Sequence, residues 1–479
     1  MTVKKNVKWV ALSQASKVIL QLLSLTILTR LITPDQYGIM AMAMVVTNFA
    51  LIFRDLGTSS AIIQRKKLTP EIVSSVFWLN MFMGTGICLL LIIISPYISS
   101  LFKQGLLDVI LIILSLSFPI SSLGAVHQAL LERESKFKLI AAIEISSSTL
   151  GLVIAVASAY IGAGVYSLVF QTLTSCVIST SAYWLFNDFR PKFAISKNDL
   201  KSLISFSGNL TLFNLINYFS RNVDSIIIGR KFSAIVLGSY SLSYRIMLFP
   251  IQSLSIVAAR SLYPVMSKNQ DDLGEIKNLF FKTLTVIASV TAPMMFGLVV
   301  IRESFVNVVF GNQWEIVPSL ILWMAPIGFI QSLLSVTGSV MVAQGKTALQ
   351  MYLGLLSSVL SVSAFIIGAW FSIYMLAKLY LLANVISGLI SLYVCTRSIK
   401  ASFYELITNI SAPLISAMCM AGIVFYIQNA VSVKYYLGDY TSVVLYVSIG
   451  FIVYVLVYRF LFSQTFEKVA PKILKKILL

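Results

Sequence analysis

The chain has 479 residues, of which 58% are hydrophobic and only 11% are charged, whereas a soluble domain carries roughly 25% charged residues. This composition excludes a soluble globular enzyme and predicts an all-α integral membrane protein that crosses the bilayer many times. The net charge of +18 does not indicate a nucleic-acid partner, because the sequence contains no soluble domain to carry such a surface.

Fourteen segments, taken in chain order, are apolar over the roughly 20 residues that a spanning helix needs. The first follows a basic start and contains Lys17, but it lacks a small-residue cleavage site, so it is predicted to be an uncleaved span. The predicted spans are 7–32, 37–60, 72–95, 105–130, 139–161, 165–186, 202–229, 235–258, 278–301, 319–342, 347–369, 375–396, 407–428 and 442–462.

The distribution of basic residues predicts how these spans are oriented. An even number of spans places both termini on one side, and the loops of that side are rich in lysine and arginine, as at 65–67 and 468–476. The opposite loops contain few basic residues, among them Lys103 and Arg302. Because lysine and arginine accumulate in cytoplasmic loops, both termini are predicted to lie in the cytoplasm.

An internal repeat relates each residue n to residue n + 200. Arg30 aligns with Arg230, and Gly38 aligns with Gly238. Upstream, two sets of polar residues align, and both step by three, four and three residues, so each set lies on one face of its helix. The two sets are Gln14, Lys17, Gln21 and Ser24 in the first half and Asn214, Asn217, Arg221 and Asp224 in the second.

The repeat predicts two lobes of six spans, which pair about an axis along the membrane normal. The two polar faces would then meet across a central cleft. The predicted parts are an N-lobe with spans 1–6 at 1–187, a cytoplasmic linker at 188–201, a C-lobe with spans 7–12 at 202–400, spans 13 and 14 at 401–462, and an amphipathic cytoplasmic tail at 463–479 that would lie on anionic lipid.

Polar residues inside the spans predict the chemistry of that cleft. A charge at mid-span costs about 2.5–3.5 kcal/mol even on insertion scales, so such residues face a bundle interior or a water-filled cavity. Basic residues exceed acidic ones there, which favours an anionic substrate such as a diphosphate, because arginine binds phosphate through paired N–H donors. Amide side chains suit sugar hydroxyls. The candidate cavity residues are Lys17, Arg54, Arg221, Arg245, Gln14, Gln21, Asn214 and Asn217.

Three acidic residues within the spans, Asp55, Glu144 and Asp224, are candidates for proton or sodium coupling. Asp224 lies three residues after Arg221, a spacing that also allows a purely structural ion pair, and Glu144 is also compatible with a hydrogen-bonded structural acid. With one histidine and four scattered cysteines, no metal site is predicted. The sequence has no Walker A, HExxH or GxSxG motif, so neither a catalytic residue nor a cofactor is expected.

Five stretches carry a resemblance to a known family, within a likeness that extends from "LTRLITPDQYG" to about residue 400. They are "LERESKF" (131–137), "NYFSRNVDSIIIGR" (217–230), "LGSYSLSYRIMLFP" (237–250), "VVFGNQW" (308–314) and "APIGFIQSLL" (325–334). On these residues the chain resembles the Wzx-type polysaccharide flippases of the multidrug/oligosaccharidyl-lipid/polysaccharide exporter superfamily, nearest to the colanic acid exporter branch.

The resemblance implies both a fold and a function. It implies two six-helix lobes and two extra C-terminal helices in a V-shaped arrangement that opens alternately to each side of the bacterial inner membrane. It implies that the substrate is an undecaprenyl diphosphate-linked oligosaccharide, moved from the cytoplasmic to the periplasmic leaflet for surface polysaccharide assembly. The partners it implies are membrane lipid, a polysaccharide polymerase and a chain-length regulator.

Two other functions remain open at the level of sequence. A drug or cation antiporter of the same superfamily would be expected to have an acidic or aromatic cavity, whereas the predicted cavity is net basic. A membrane-embedded polysaccharide polymerase would need a large periplasmic loop with catalytic groups, and the longest such loop, 302–318, is short and mostly apolar.

Overall fold

The structure is a computed structural model in which every labelled element is a helix. It describes residues 3–55, 62–65, 68–193, 218, 222–252, 262, 266–268, 272–430 and 438–469. The first helices are α1 (Val3–Leu31), α2 (Pro34–Asp55), α3 (Pro70–Phe102), α4 (Leu106–Ser115), α5 (Ser117–Arg133), α6 (Phe137–Tyr160) and α7 (Tyr166–Leu185). They are followed by α8 (Ala234–Pro250), α9 (Leu273–Val309), α10 (Ile316–Ala343), α11 (Thr347–Phe371), α12 (Ile373–Ser398), α13 (Phe403–Ala430), α14 (Asp439–Leu461) and α15 (Ser463–Val469).

The helices agree with most of the predicted spans. Among the described residues, eleven helical segments are long and apolar enough to cross a membrane. Helices α7 and α8, at the predicted sixth and eighth spans, are not among these eleven, and the predicted seventh span, 202–229, lies mostly outside the described residues. Of the predicted tail at 463–479, only α15 is described. The chain is therefore an all-helical multi-pass membrane protein, and the count of fourteen spans stays a prediction.

Local sequence explains where the long helix α3 begins and ends. Thr69 is extended, and its hydroxyl accepts a hydrogen bond from the backbone N–H of Ile72, which satisfies a donor that the first helical turn leaves unpaired. Pro70 suits the first helical position because no N–H donor is needed there. Lys103 ends the helix in the left-handed conformation, with a φ of 54°. The 33 residues of α3 cover about 50 Å, more than the roughly 30 Å hydrocarbon core of a bilayer.

A proline divides the predicted fourth span, 105–130, into α4 and α5. Pro119 has no N–H to donate to the carbonyl of Ser115, four residues earlier, so the α-helical hydrogen bonds are interrupted there. Leu116 joins the two helices, and its N–H donates to the carbonyl of Ile113 at 3.3 Å in a tighter turn. The predicted fourth span is therefore confirmed as one segment able to cross the membrane, Leu106–Arg133, which consists of two helices.

The contacts divide the chain into two compact units, Met1–Gly238 and Ser239–Leu479. Within the first unit, α1 packs on α6, α6 on α7 and α3 on α5. Within the second unit, α9 packs against α10, α13 and α14, and α11 pairs with α12. The predicted linker, 188–201, lies partly outside the described residues, so the predicted lobe boundaries stay a prediction.

The two predicted extra spans include α14, which is joined to α9 by buried tyrosines. The hydroxyls of Ser289 and Tyr458 share a hydrogen bond of 2.9 Å, and the hydroxyl of Tyr454 donates to the backbone carbonyl of Ser289, also at 2.9 Å. Both tyrosines are buried. Because hydrocarbon offers no hydrogen-bonding partners, polar groups in a span must be satisfied within the protein. These bonds therefore fix the rotation of α14 against α9.

The start of the predicted linker lies against the first unit. Trp78 Nε1 on α3 donates to the backbone carbonyl of Lys192 at 3.0 Å. His127 on α5 is fully buried, and its Nε2 lies 3.2 Å from the carbonyl oxygen of Phe189. The described part of the linker is therefore bound to two helices of the first unit.

Candidate substrate cavity

Lys17 on α1 forms an ion pair with Glu144 on α6. Lys17 Nζ lies 2.8 Å from Glu144 Oε1, and Ser13, one turn earlier on α1, donates to Glu144 Oε2 at 2.8 Å. The side chains of Lys17 and Glu144 are 40% and 24% exposed, so the pair is not sealed within the helix packing. A predicted cavity cation and a predicted coupling acid therefore share one site and neutralise each other's charge.

The four polar residues of the α1 face have two kinds of surroundings. Ser24, seven residues after Lys17, accepts a hydrogen bond from Gln171 Nε2 on α7 at 3.0 Å. Lys17 and Ser24 thus join α1 to other helices of the first unit. Gln14 and Gln21, also seven residues apart, are exposed. Exposed amides therefore stand beside the half-exposed Lys17 on this helix.

Arg54 on α2 extends toward α5, where its Nη1 donates to Ser121 Oγ at 2.7 Å. Its Nε is buried, and among the described residues no acceptor hydrogen-bonds with it. A buried N–H without an acceptor is costly, so Arg54 has unused capacity to bind an anion. Asp55 follows at the end of α2, and its side chain lies outside the described residues.

The candidates of the second half are described only in part. Asp224 is buried, and its Oδ1 accepts the backbone N–H of Ser225 at 2.6 Å. Arg245 on α8 is exposed. The remaining candidates lie outside the described residues, so their place in a cavity, and the ion pair predicted for Asp224, stay predictions. They are Asn214, Asn217 and Arg221.

The two aligned glycines, Gly38 and Gly238, meet in space. A Cβ on Gly38 would lie 2.5 Å from the carbonyl carbon of Ala234 and nearer still to its oxygen. A Cβ on Gly238 would lie 2.9 Å from the nitrogen of Gly38 and nearer still to the carbonyl oxygen of Pro34. Pro34 and Ala234 are also 200 residues apart and are therefore equivalent in the repeat. Gly38 contacts Ala234 and Gly238 contacts Pro34, which is the reciprocal pattern that a two-fold axis requires. Only glycine lets two backbones approach this closely.

The structure adds partners that sequence reasoning did not identify. Three of the predicted residues bond to partners that are far away along the chain. Glu144 bonds to Ser13 across 131 residues, Arg54 to Ser121 across 67, and Ser24 to Gln171 across 147. The sequence contains no signal for these pairs, because a serine or glutamine in a span can bond to many neighbours. Within the described ranges, no group of three His, Cys, Asp or Glu side chains is placed to hold a metal ion.

A model of the polysaccharide biosynthesis protein family matches residues 27–319, which is more than half of the chain. The lipopolysaccharide biosynthesis protein WzxC of Escherichia coli K12 is 26% identical over 401 residues, which cover 83% of this chain and 82% of that protein. A membrane protein of the cps region of Klebsiella pneumoniae is 32% identical over 349 residues, which cover 72% of each chain. The similarity to each relative therefore extends over most of both chains.

A solved structure shares the fold. The lipid II flippase MurJ, in an inward closed conformation, matches with a TM-score of 0.75 over 96% of this chain and 99% of that chain. The sequence identity is 14%, so this likeness concerns the fold alone.

Proposed function

The chain belongs to the polysaccharide biosynthesis protein family, and from this membership we propose that it is a flippase for lipid-linked sugars. It moves undecaprenyl diphosphate-linked oligosaccharide repeat units from the cytoplasmic to the periplasmic leaflet of the bacterial inner membrane, for assembly of a surface polysaccharide. The family match over residues 27–319 is the observation that carries this proposal. A polysaccharide polymerase and a chain-length regulator, which act on the delivered units, are its proposed protein partners.

The proposed transport mechanism is alternating access. In this arrangement fourteen spans form two six-helix lobes, at 1–187 and 202–400, and two extra helices, with both termini in the cytoplasm. The lobes open in turn to each side of the membrane. Three observations support this arrangement: the positions of the described helices, the basic loops on one side, and the symmetric contact of Gly38 with Gly238.

A polar cavity between the leaflets answers the main physical difficulty of this transport. A diphosphate with attached sugars cannot cross hydrocarbon unpaired, because burying an isolated ion costs on the order of tens of kcal/mol in the continuum limit. In the proposed cavity, cationic side chains pair with the diphosphate and amide side chains hydrogen-bond with sugar hydroxyls. The substrate leaves chemically unchanged, so the protein is not an enzyme. The cations are Lys17, Arg54, Arg221 and Arg245, and the amides are Gln14, Gln21, Asn214 and Asn217.

Glu144 competes with the diphosphate for Lys17. In the empty protein the ion pair at 2.8 Å spares Lys17 the cost of an unpaired cation in a span. A diphosphate carries more negative charge than one carboxylate and displaces it. A proton or sodium ion that neutralises Glu144 also releases Lys17 for the substrate, which makes Glu144 a coupling candidate beside Asp55 and Asp224. The membrane potential, negative inside, contributes about 2.3 kcal/mol per charge per 100 mV to the expulsion of an anionic headgroup.

Flipping in proteoliposomes tests the proposal. Purified protein is reconstituted with a fluorescent undecaprenyl diphosphate oligosaccharide, and its transfer between leaflets is followed by quenching from one side. We expect wild-type protein to flip the lipid, Arg245→Ala and Arg54→Gln to lose most of this activity, and Lys378→Gln to keep it. Lys378 is a suitable control because its ammonium lies over the ring of Trp323, 5.0 Å from the ring centroid, and is not a cavity candidate.

The same vesicles discriminate the alternative functions. Transport of a cationic dye without transfer of the lipid would replace the flippase by a drug or cation antiporter. Appearance of longer oligosaccharide chains in the recovered lipid would indicate a polymerase. Equal flipping by wild-type protein and by the arginine variants would remove these arginines from the site.

A further inference from the structure

An apolar groove of about 660 Å³ lies within the first unit. Its described lining comes from one face of α2 at 45–53, one face of α3 at 82–102, and the side chains of Tyr218 and Ile226. Tyr218 brings the only polar side-chain atom in this described lining. Its hydroxyl donates to the backbone carbonyl of Val45, so it is already satisfied. The described walls therefore offer hydrocarbon and ring surface to an occupant.

The shape of the groove matches one long hydrocarbon chain. From Phe82 to Phe102 the lining residues of α3 recur at helical spacing over 20 residues, which corresponds to about 30 Å. This length equals the roughly 30 Å hydrocarbon core of a bilayer. One acyl chain of a phospholipid reaches only through its own leaflet, about half of that distance. A groove about 30 Å long therefore fits a longer chain than phospholipids carry.

One end of the groove leads to a cation. Val46 and Ala50 line the groove, and Arg54 follows Ala50 by one turn on the same face of α2. On α5, Ser121 follows Phe118 by one turn, Phe118 packs against Ala50, and Ser121 accepts the hydrogen bond from Arg54. The guanidinium is thus one helical turn beyond the apolar wall, and its buried Nε has no acceptor among the described residues. The groove and Arg54 together have the charge pattern that a long-chain anionic lipid requires.

Resting on the function proposed above, we propose that this groove holds the polyisoprenoid chain of the lipid-linked substrate, with its diphosphate beside Arg54. The chain stays in an apolar channel of the first unit while the sugars occupy the polar cavity. Apolar burial along the groove gives affinity for the lipid without regard to the sugar sequence, and Arg54 fixes which end of the lipid enters the cavity.

Gly86 provides a specific way to fill the groove. It lies in the lining from α3, and a Cβ at this position meets no atom within 4 Å. Gly86→Phe therefore places a ring in the groove without a clash at its Cβ. Gly354 on α11 is also exposed and also has open space around a Cβ, but it is not in the groove lining. Gly354→Phe is the matched control for the loss of a helical glycine and the gain of a phenyl ring.

Photolabelling tests the proposal independently of transport. A polyisoprenyl diphosphate oligosaccharide with a diazirine in its chain is reconstituted with the protein and irradiated, and the labelled peptides are identified by mass spectrometry. We expect labels on the groove faces of α2 and α3, competition by excess unlabelled polyisoprenyl diphosphate, loss of most labelling in Gly86→Phe, and unchanged labelling in Gly354→Phe. A phospholipid with a diazirine in its acyl chain is the parallel probe.

Three outcomes would overturn the proposal: chain labels elsewhere in the protein, equal labels in Gly86→Phe and Gly354→Phe, or phospholipid labels in the groove that the polyisoprenyl diphosphate does not displace. Flipping is measured on the same samples. Protein that flips the lipid without groove labelling contradicts the groove alone. Protein that is labelled in the groove but does not flip the lipid contradicts the proposed function and leaves the groove assigned.

Discussion

Replacing Gly38 with alanine is expected to force apart the contact between Gly38 and Gly238. The added Cβ would lie 2.5 Å from the carbonyl carbon of Ala234, whereas real Cβ atoms essentially never approach a neighbour within 3.0 Å. The backbones must therefore separate by at least the difference of 0.5 Å, and the obstructing atoms cannot rotate away as a side chain would. Overpacking of this kind costs about 1–3 kcal/mol. A cost of about 2 kcal/mol shifts the balance between contact and separation by roughly 30-fold.

Thiol accessibility measures this shift. Ala234 is fully buried at the contact, so Ala234→Cys in a cysteine-free background should react slowly with a membrane-impermeant maleimide. Adding Gly38→Ala should accelerate the reaction by up to about 30-fold, and Gly238→Ala should act in the same direction because the contact is symmetric. Gly354→Ala is the control, since a Cβ there meets nothing within 4 Å. Equal rates in Gly38→Ala and Gly354→Ala would refute the reasoning.

Three further changes should act on stability or transport. Lys17→Gln alone leaves Glu144 without its cation. It should therefore lower the thermal unfolding temperature in detergent more than the double variant Lys17→Gln with Glu144→Gln does. Additive effects of the two substitutions would show that the pair is not coupled. Tyr458→Phe should cost about 0.5–1.5 kcal/mol through loss of the buried hydrogen bond with Ser289, and its effect on unfolding should be smaller in a Ser289→Ala background. Arg54→Gln should retain a donor for Ser121 and keep the unfolding temperature within a few degrees, while the rate of lipid flipping falls. An unchanged flipping rate would show that Arg54 does not bind the substrate.

Apolar runs were enough to place most helices, because a spanning segment must be long and apolar whatever it packs against. The same reasoning gave one span at 105–130, which the structure confirms. It did not give the division at Leu116, since hydropathy does not register the hydrogen bond that Pro119 removes. The prediction that Gly38 and Gly238 are equivalent came from the sequence repeat. Their contact in space required the structure, because a repeat defines equivalence and not distance.

The candidate cavity was harder to predict from sequence. Helical periodicity placed Lys17 and Ser24 on a polar face, but it did not show that this face turns toward α6 and α7, because the rotation of a helix depends on its neighbours. The ion pair with Glu144 changed Lys17 from an isolated cation into half of a neutral pair. The groove along α3 had no sequence signal of its own, since it is a space between helices whose lining residues look like any apolar span.

The contact of Gly38 with Gly238 also has a meaning for the origin of the chain. A contact between equivalent residues is the isologous interface that two identical six-span proteins would form as a homodimer. Joining two copies in one gene preserves the interface, but it lets the two sides mutate independently. At this contact both halves have glycine at positions 38 and 238, whereas the equivalent residues that they touch, Pro34 and Ala234, differ. The aligned halves also differ away from the contact, as at Lys17, which aligns with the uncharged Asn217. A fusion of this kind permits different side chains at equivalent positions of the two halves.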